Sequence, residues 1–158
     1  MKKLERLFLK SIIDPLLDQF QFAYRNNRPV DDAVALGLFY ILQHLDSPNT
    51  YARILFVDFS SAFNTIMPSK LFDKIQSLSI PQSICLWILD FLLNRPQVVK
   101  IGDNLSSSVT LSTGTPQGCV LSPMLYSVFT HDCLSCHVRT KILKFAADTT
   151  ANTASNKF

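Results

Sequence analysis

Apolar positions along this chain change period several times, and each change marks an element. Leu4, Leu7, Phe8 and Ile12 recur at helical spacing, and Asp14-Pro15 follows as a cap with a first-turn proline, which predicts two short opening helices. Val34, Leu38, Ile41, Leu42 and Leu45 share one face of a longer helix predicted over Asp31 to Leu45, and Asp31 and Asp32 suit the positive end of its dipole. Ser47-Pro48-Asn49-Thr50 breaks it. Arg53 to Phe59 is a short, almost unbroken apolar run with an acid near its end, the pattern of a buried strand that delivers one carboxylate at its tip. Ser69 to Leu78 and Pro81 to Asn94 read as two helices. Gln97 to Ile101 and Ser108 to Ser112 read as a hairpin joined through Gly102-Asp103-Asn104. The stiff turn Gly114-Thr115-Pro116-Gln117-Gly118 leads into a helix from about Ser122 to Leu134. Lys141 to Ala146 and Thr149 to Thr153 read as two strands flanking a turn at Ala147-Asp148. With no repeat or linker, the whole is a single α+β unit.

Composition narrows this reading. The 158 residues are 47% hydrophobic and 17% charged, enough apolar material for one globular core. The net charge of +3 is lodged at the start, where residues 1 to 28 hold six Lys/Arg against three Asp/Glu. A polyanion would be drawn there, although a solvated basic helix face is the blander explanation. Glu5, Arg6 and Lys10 interrupt the apolar stretch a signal peptide needs, and Ile84 to Leu93 is about half a membrane span and contains Asp90. The expectation is an intracellular, cytoplasmic or nuclear chain, neither secreted nor membrane-bound, whose four cysteines need not pair.

Asp58 at a strand end is a candidate for chemistry, but also a natural cap for a helix starting near Ser60-Ser61. Asp148 reads as a turn aspartate. Cys133-x-x-Cys136-His137 formally matches a haem attachment pattern, and with His131 a zinc set, but both are set aside in favour of a link between helix and strand. The four glycines form no P-loop, dinucleotide or nucleophile-elbow motif.

Three blocks give these residues a common meaning: Phe56-Val57-Asp58-Phe59-Ser60-Ser61-Ala62-Phe63-Asn64, Gly114-Thr115-Pro116-Gln117-Gly118-Cys119-Val120-Leu121-Ser122-Pro123, and Phe145-Ala146-Ala147-Asp148-Thr149-Thr150. In this order and spacing they resemble the palm of the reverse transcriptases of non-LTR, LINE-like retrotransposons. Gln21-Phe22-Ala23-Tyr24-Arg25 with Asp31-Asp32-Ala33-Val34 resembles the fingers-side block before it. The resemblance spans residues 16 to 154. It implies a polymerase palm-like antiparallel sheet packed on helices, with fingers-side helices over residues 1 to 50, palm over 51 to 158, and no thumb. It also implies an RNA template, a DNA primer, a dNTP, and two Mg²⁺ ions about 3.5 to 4 Å apart. Asp58, the Phe59 carbonyl and Asp148 would be the metal ligands, with Asp58 and Asp148 catalytic. Phe63 would stand beneath the sugar, with a core phenylalanine as the competing reading. Gln117 and Gly118 would lie along the nucleotide, and Arg25 and Arg28 would touch nucleic-acid phosphates together with Lys2, Lys3, Arg6 and Lys10.

The family's turn reads Phe-Ala-Asp-Asp, whereas this chain has Ala147 at the first aspartate. Alanine offers no ligand oxygen, and alternation along a strand turns Asp148 away from the lost position. The expectation is therefore a partial domain that does not polymerise: a nucleic-acid-binding module of polymerase shape, or a functionless remnant of a decayed element. Uncovered palm surface would favour self-association.

Overall fold

After a π-helical turn at Leu9–Ile13 and a 3-10 turn at Asp14–Leu16, the computed structural model, which describes residues 9–156, contains four α-helices and seven strands. They run α1 (Val30–Leu45), β1 (Thr50–Asp58), α2 (Pro68–Ser77), α3 (Gln82–Leu92), β2 (Arg95–Gln97), β3 (Lys100–Ile101), β4 (Asn104–Leu105), β5 (Val109–Leu111), α4 (Leu121–Phe129), β6 (Thr140–Phe145) and β7 (Asp148–Asn156). Leu4, Leu7, Phe8, Lys2, Lys3, Arg6 and the Lys10 side chain lie outside the described residues. Contacts divide the chain into two units, Ser61–Phe129 and the two segments that flank it.

The flanking segments build an antiparallel three-stranded sheet in the order β1-β7-β6. β1 pairs with β7 from Thr50↔Asn156 to Asp58↔Asp148, and β6 pairs with β7 from Thr140↔Thr153 to Phe145↔Asp148. The second register moves the predicted turn. Phe145 and Asp148 face each other, so the two-residue loop is Ala146-Ala147 and Asp148 is the first residue of a strand rather than a turn residue. Ala146 takes φ 55°, as the first loop residue of a tight hairpin often must. An L-residue there costs about 1–2 kcal/mol, so Ala146→Gly is expected to raise stability by about 0.5–1 kcal/mol after its own chain-entropy cost. An unchanged or lower urea midpoint would contradict this.

The buried strand predicted at 53–59 is instead an edge strand. Ile54, Leu55 and Phe56 are 45%, 60% and 75% exposed. Their continuous apolar run records a strand fit for cover on both faces, and among the described residues only its β7 side is paired. The α1 face read from sequence is corrected in the same way: Val34, Leu38, Leu42 and Leu45 are exposed, and the helix lies on the sheet through Gly37. A Cβ at Gly37 would stand 3.3 Å from Asn152 Nδ2 and 3.8 Å from Leu143 Cδ1, so bare backbone sets the closeness of helix and sheet.

The largest fully buried side chain in this unit is charged. Lys144 Nζ donates to the carbonyls of Thr130, His131 and Cys133 at 3.1, 3.3 and 3.2 Å and pairs with Asp18 Oδ2 at 3.1 Å. Its backbone N–H donates to the Phe20 carbonyl, and its own carbonyl accepts from Phe22 N–H, which ties the 18–22 loop to the outer edge of β6. Four acceptors around three N–H donors let this ammonium stay buried.

In the second unit, Pro68 opens α2 at a position where its missing N–H does no harm. Leu71 and Ile75 of α2, and Cys85, Ile88 and Leu92 of α3, are buried at helical spacing. Burial pushes the Cys85 thiol up. α4 is buried from Leu121 to Val128 apart from Pro123, and ends at Phe129, earlier than its apolar pattern predicts. The predicted hairpin forms as two short ladders, Arg95↔Leu111 to Gln97↔Val109 and Lys100↔Leu105 with Ile101↔Asn104, turning at Gly102 with φ 59°.

Candidate functional site

In the first unit the site begins with Asp58. Residues 60 to 64 form turns rather than a helix, so Asp58 has no helix to cap and stands free at the strand end. The Phe59 N–H donates to the Ala147 carbonyl at 3.4 Å, which closes the ladder across the hairpin tip. That bond makes the neighbouring Asp58–Asp148 pair the closely spaced kind, with Cα atoms about 4.5 Å apart and both side chains on one face. Alternation along β7 alone suggested that Asp148 turns away; the register supplies what a single strand cannot, and sets it directly opposite Asp58. Both carboxylates are exposed, and like charges directly opposed repel unless a cation or proton lies between them. Ala147, at the tip, adds no oxygen beyond its backbone. Among the described residues no three His, Cys, Asp or Glu side chains gather as a metal set.

Arg25 is reassigned. Its Nε donates to Asp14 Oδ1 at 2.6 Å, and its two NH groups donate to the carbonyls of Asp18, Gln21 and Asp14. Only 12% of its side chain is exposed. This guanidinium holds the 14–25 loop and is not presented to a phosphate. Arg28 donates to the Gln19 carbonyl and lies 5.3 Å over the Phe22 ring, leaving part of its fork at the surface.

In the second unit Phe63 is half-buried, with its ring 5.4 Å from that of buried Tyr126. Gln117 and Gly118 are exposed on the loop before α4, and Gly118 has φ 76°. The loop is fixed by a residue that the sequence reading passed over. Gly114, at φ 71°, donates to the Ile66 carbonyl at 2.7 Å, and Thr115 N–H donates to the Phe63 carbonyl at 2.8 Å. A Cβ on Gly114 would lie 2.8 Å from Asn64 Cα and 2.9 Å from its carbonyl oxygen. Its positive φ and this close approach were hinted at only by its place at the head of the Gly-Thr-Pro-Gln-Gly block. Gly114→Ala is expected to destabilise by about 2–3 kcal/mol, from the left-handed backbone plus overpacking against backbone. A urea-midpoint change below about 1 kcal/mol would show that the loop relaxes freely.

Comparison with known proteins fits this geometry. The family model for reverse transcriptase (RNA-dependent DNA polymerase) matches residues 1–157. The RNA-directed DNA polymerase from the mobile element jockey of Drosophila funebris is 33% identical over 136 residues, covering 83% of this chain and 15% of the relative. The probable RNA-directed DNA polymerase from transposon BS of Drosophila melanogaster is 31% identical over 117 residues, covering 74% and 13%. The chain thus spans about a seventh of the length of these curated relatives. Among solved structures, apo telomerase from Candida tropicalis, truncated from its C-terminal domain, superposes with a TM-score of 0.59 at 14% identity, over 96% of this chain and 32% of that one. This likeness shows a shared fold, a mixed helix and antiparallel-sheet polymerase architecture. No helix among the described residues is long and apolar enough to cross a membrane. With the family model matched almost end to end, and jockey-type elements among its relatives, the chain belongs to the reverse transcriptase (RNA-dependent DNA polymerase) family and resembles the enzymes of non-LTR retrotransposons.

Proposed function

We propose that this chain holds nucleic acid in the manner of a reverse transcriptase palm but does not polymerise. The observation that carries the reading is the hairpin tip: Asp58 directly opposite Asp148, with Ala147 where the family's turn has its first aspartate. Two carboxylates and the Phe59 carbonyl are hard oxygen donors of the kind Mg²⁺ takes, and a cation between them would relieve their repulsion. That set suits one ion. A two-ion centre needs carboxylate oxygens to bridge both, and with Ala147 the donor set does not fit the pair. No step of nucleotide transfer is therefore assigned to it.

Phe63, Gln117 and Gly118 are assigned to contact with the nucleotide. Support comes from the exposure of Gln117 and Gly118, from open space around Gly118, and from the anchoring of their loop to the Phe63–Ile66 backbone. Self-association belongs to the same reading, because the outer edge of β1 is apolar and unpaired among the described residues.

The test is primer extension with the purified chain, a primed RNA template, all four dNTPs and Mg²⁺, run beside a gel-shift assay on the same primed template. Retarded template with no extended primer is the expected pair of results. Primer extension above a no-protein control would overturn the reading, and so would a template that is never retarded.

A further inference from the structure

We infer that unit 1 carries a phosphate-binding cleft at the end of the sheet remote from Asp58 and Asp148. The cleft, about 270 Å³ in volume, lies between the last turns of α1 and the strand ends of β6 and β7. Its polar lining includes Tyr40, Gln43, His44, Arg139, Lys141 and Asn152, and no acidic side chain lines it. Asn152 is four residues along β7 from Asp148, about 13 Å at the rise of an antiparallel strand.

Two independent features point to a ligand. The first is charge. Among the described residues neither the Arg139 guanidinium nor the Lys141 ammonium has an ion-pair partner, and Lys141 Nζ rests 5.6 Å over the Tyr40 ring. Arg139 is positioned by its backbone, its N–H donating to His137 Nδ1 and its carbonyl accepting from Ala154 N–H. The side chain is left to the cleft. The α1 C-terminus contributes about half a negative charge nearby, which two full positive charges outweigh.

The second feature is Asn152. It is 6% exposed, it lines the cleft, and its buried Oδ1 has no hydrogen-bond partner. A buried amide oxygen without a partner costs about 1–3 kcal/mol. That oxygen is closed off, which leaves the Nδ2 group as the accessible side of the amide. Asn152 is thereby a donor beside two cationic donors, with the Gln43 amide as a further one. His44 already spends Nε2 on the Ser155 carbonyl at 3.1 Å and serves to fix the wall. A tetrahedral oxyanion uses such a ring of donors fully, since each of its oxygens accepts and none donates. The group it would take is a phosphate, either the phosphodiester of an RNA strand or a free phosphate. The inference rests on these side chains and stands apart from the polymerase reading.

The test uses the full chain and the double variant Arg139→Gln/Lys141→Gln, whose altered side chains are at least partly solvent-exposed and leave Asn152 and Gly37 intact. Binding of a fluorescein-labelled single-stranded RNA 12-mer is followed by anisotropy across a salt series, and inorganic phosphate is titrated while the Asn152 side-chain amide is watched by ¹⁵N NMR. The expected result is that phosphate shifts the Asn152 amide in the native chain and not in the variant. RNA affinity should fall roughly tenfold, and the log–log salt slope should lose about 1.4, at about 0.7 for each charge on a single strand. A phosphate response lost in the variant while RNA binding is unchanged would support the cleft as a site for free phosphate. An Asn152 amide that ignores phosphate, together with equal RNA binding by both proteins, would overturn the inference. An unchanged thermal midpoint certifies that the variant is folded.

Discussion

Lys144→Met is expected to destabilise the protein by about 3 to 5 kcal/mol, read as a drop in the urea midpoint, because it removes one member of a buried ion pair. Methionine fits the volume of the lysine stem but supplies no N–H. Asp18, with an 11% exposed side chain, would lose its cationic partner, and the carbonyls of Thr130, His131 and Cys133 would lose their shared donor. A domain typically has about 5–15 kcal/mol in total, so this single change takes a large share of it. Adding Asp18→Leu to the variant should restore part of the loss, since the stranded charge is the larger part of the penalty. A single-variant loss below about 1 kcal/mol would show that water replaces the ammonium at little cost.

Ala147→Asp is expected to tighten Mn²⁺ binding at the hairpin tip by about 100-fold, measured by electron paramagnetic resonance of the free ion. Disturbing a group that merely orients a metal ligand costs about 10- to 100-fold, and a missing ligand belongs at or beyond the top of that range. The gain depends on Asp58, which stands opposite Asp148 and beside the tip. Asp58→Asn in the Ala147→Asp background should therefore cancel most of it. Equal Mn²⁺ affinity in the native chain and the Ala147→Asp variant would mean that the side chain at 147 does not reach the carboxylate pair.

Much of the fold was legible because it is local. The helix ending near Leu45, the strand over 53–59 with its acid near the end and the helix over 69–78 follow from period alone. The hairpin around Gly102 follows from turn chemistry. What was misread depended on partners distant in sequence. The pairing of Phe145 with Asp148 moved an aspartate from turn to strand, and the contact of Gly37 with Asn152 and Leu143 chose a different face of α1 from the one its leucines marked. Arg25 takes a phosphate role in the reading of a polymerase-shaped nucleic-acid binder; its partners in the fold, Asp14, Asp18 and Gln21, lie only four to eleven residues upstream. Lys144 carried one usable signal: it shares a strand face with Ile142, where a core residue is expected. At the site, Asp58 and Asp148 stand out one by one in the sequence, but their facing comes only with the register, and a glycine's close backbone neighbour, as at Gly114, leaves no mark there.

The nesting of one unit inside the other fixes the order in which the chain can mature on the ribosome. Residues 61–129 emerge as an uninterrupted stretch and can assemble on their own, whereas β1 must wait for β7, whose first residue follows some ninety positions later. Throughout that interval the Ile54-Leu55-Phe56 stretch has no β7 ladder, so the nascent chain is most vulnerable to misassociation just before β7 is made.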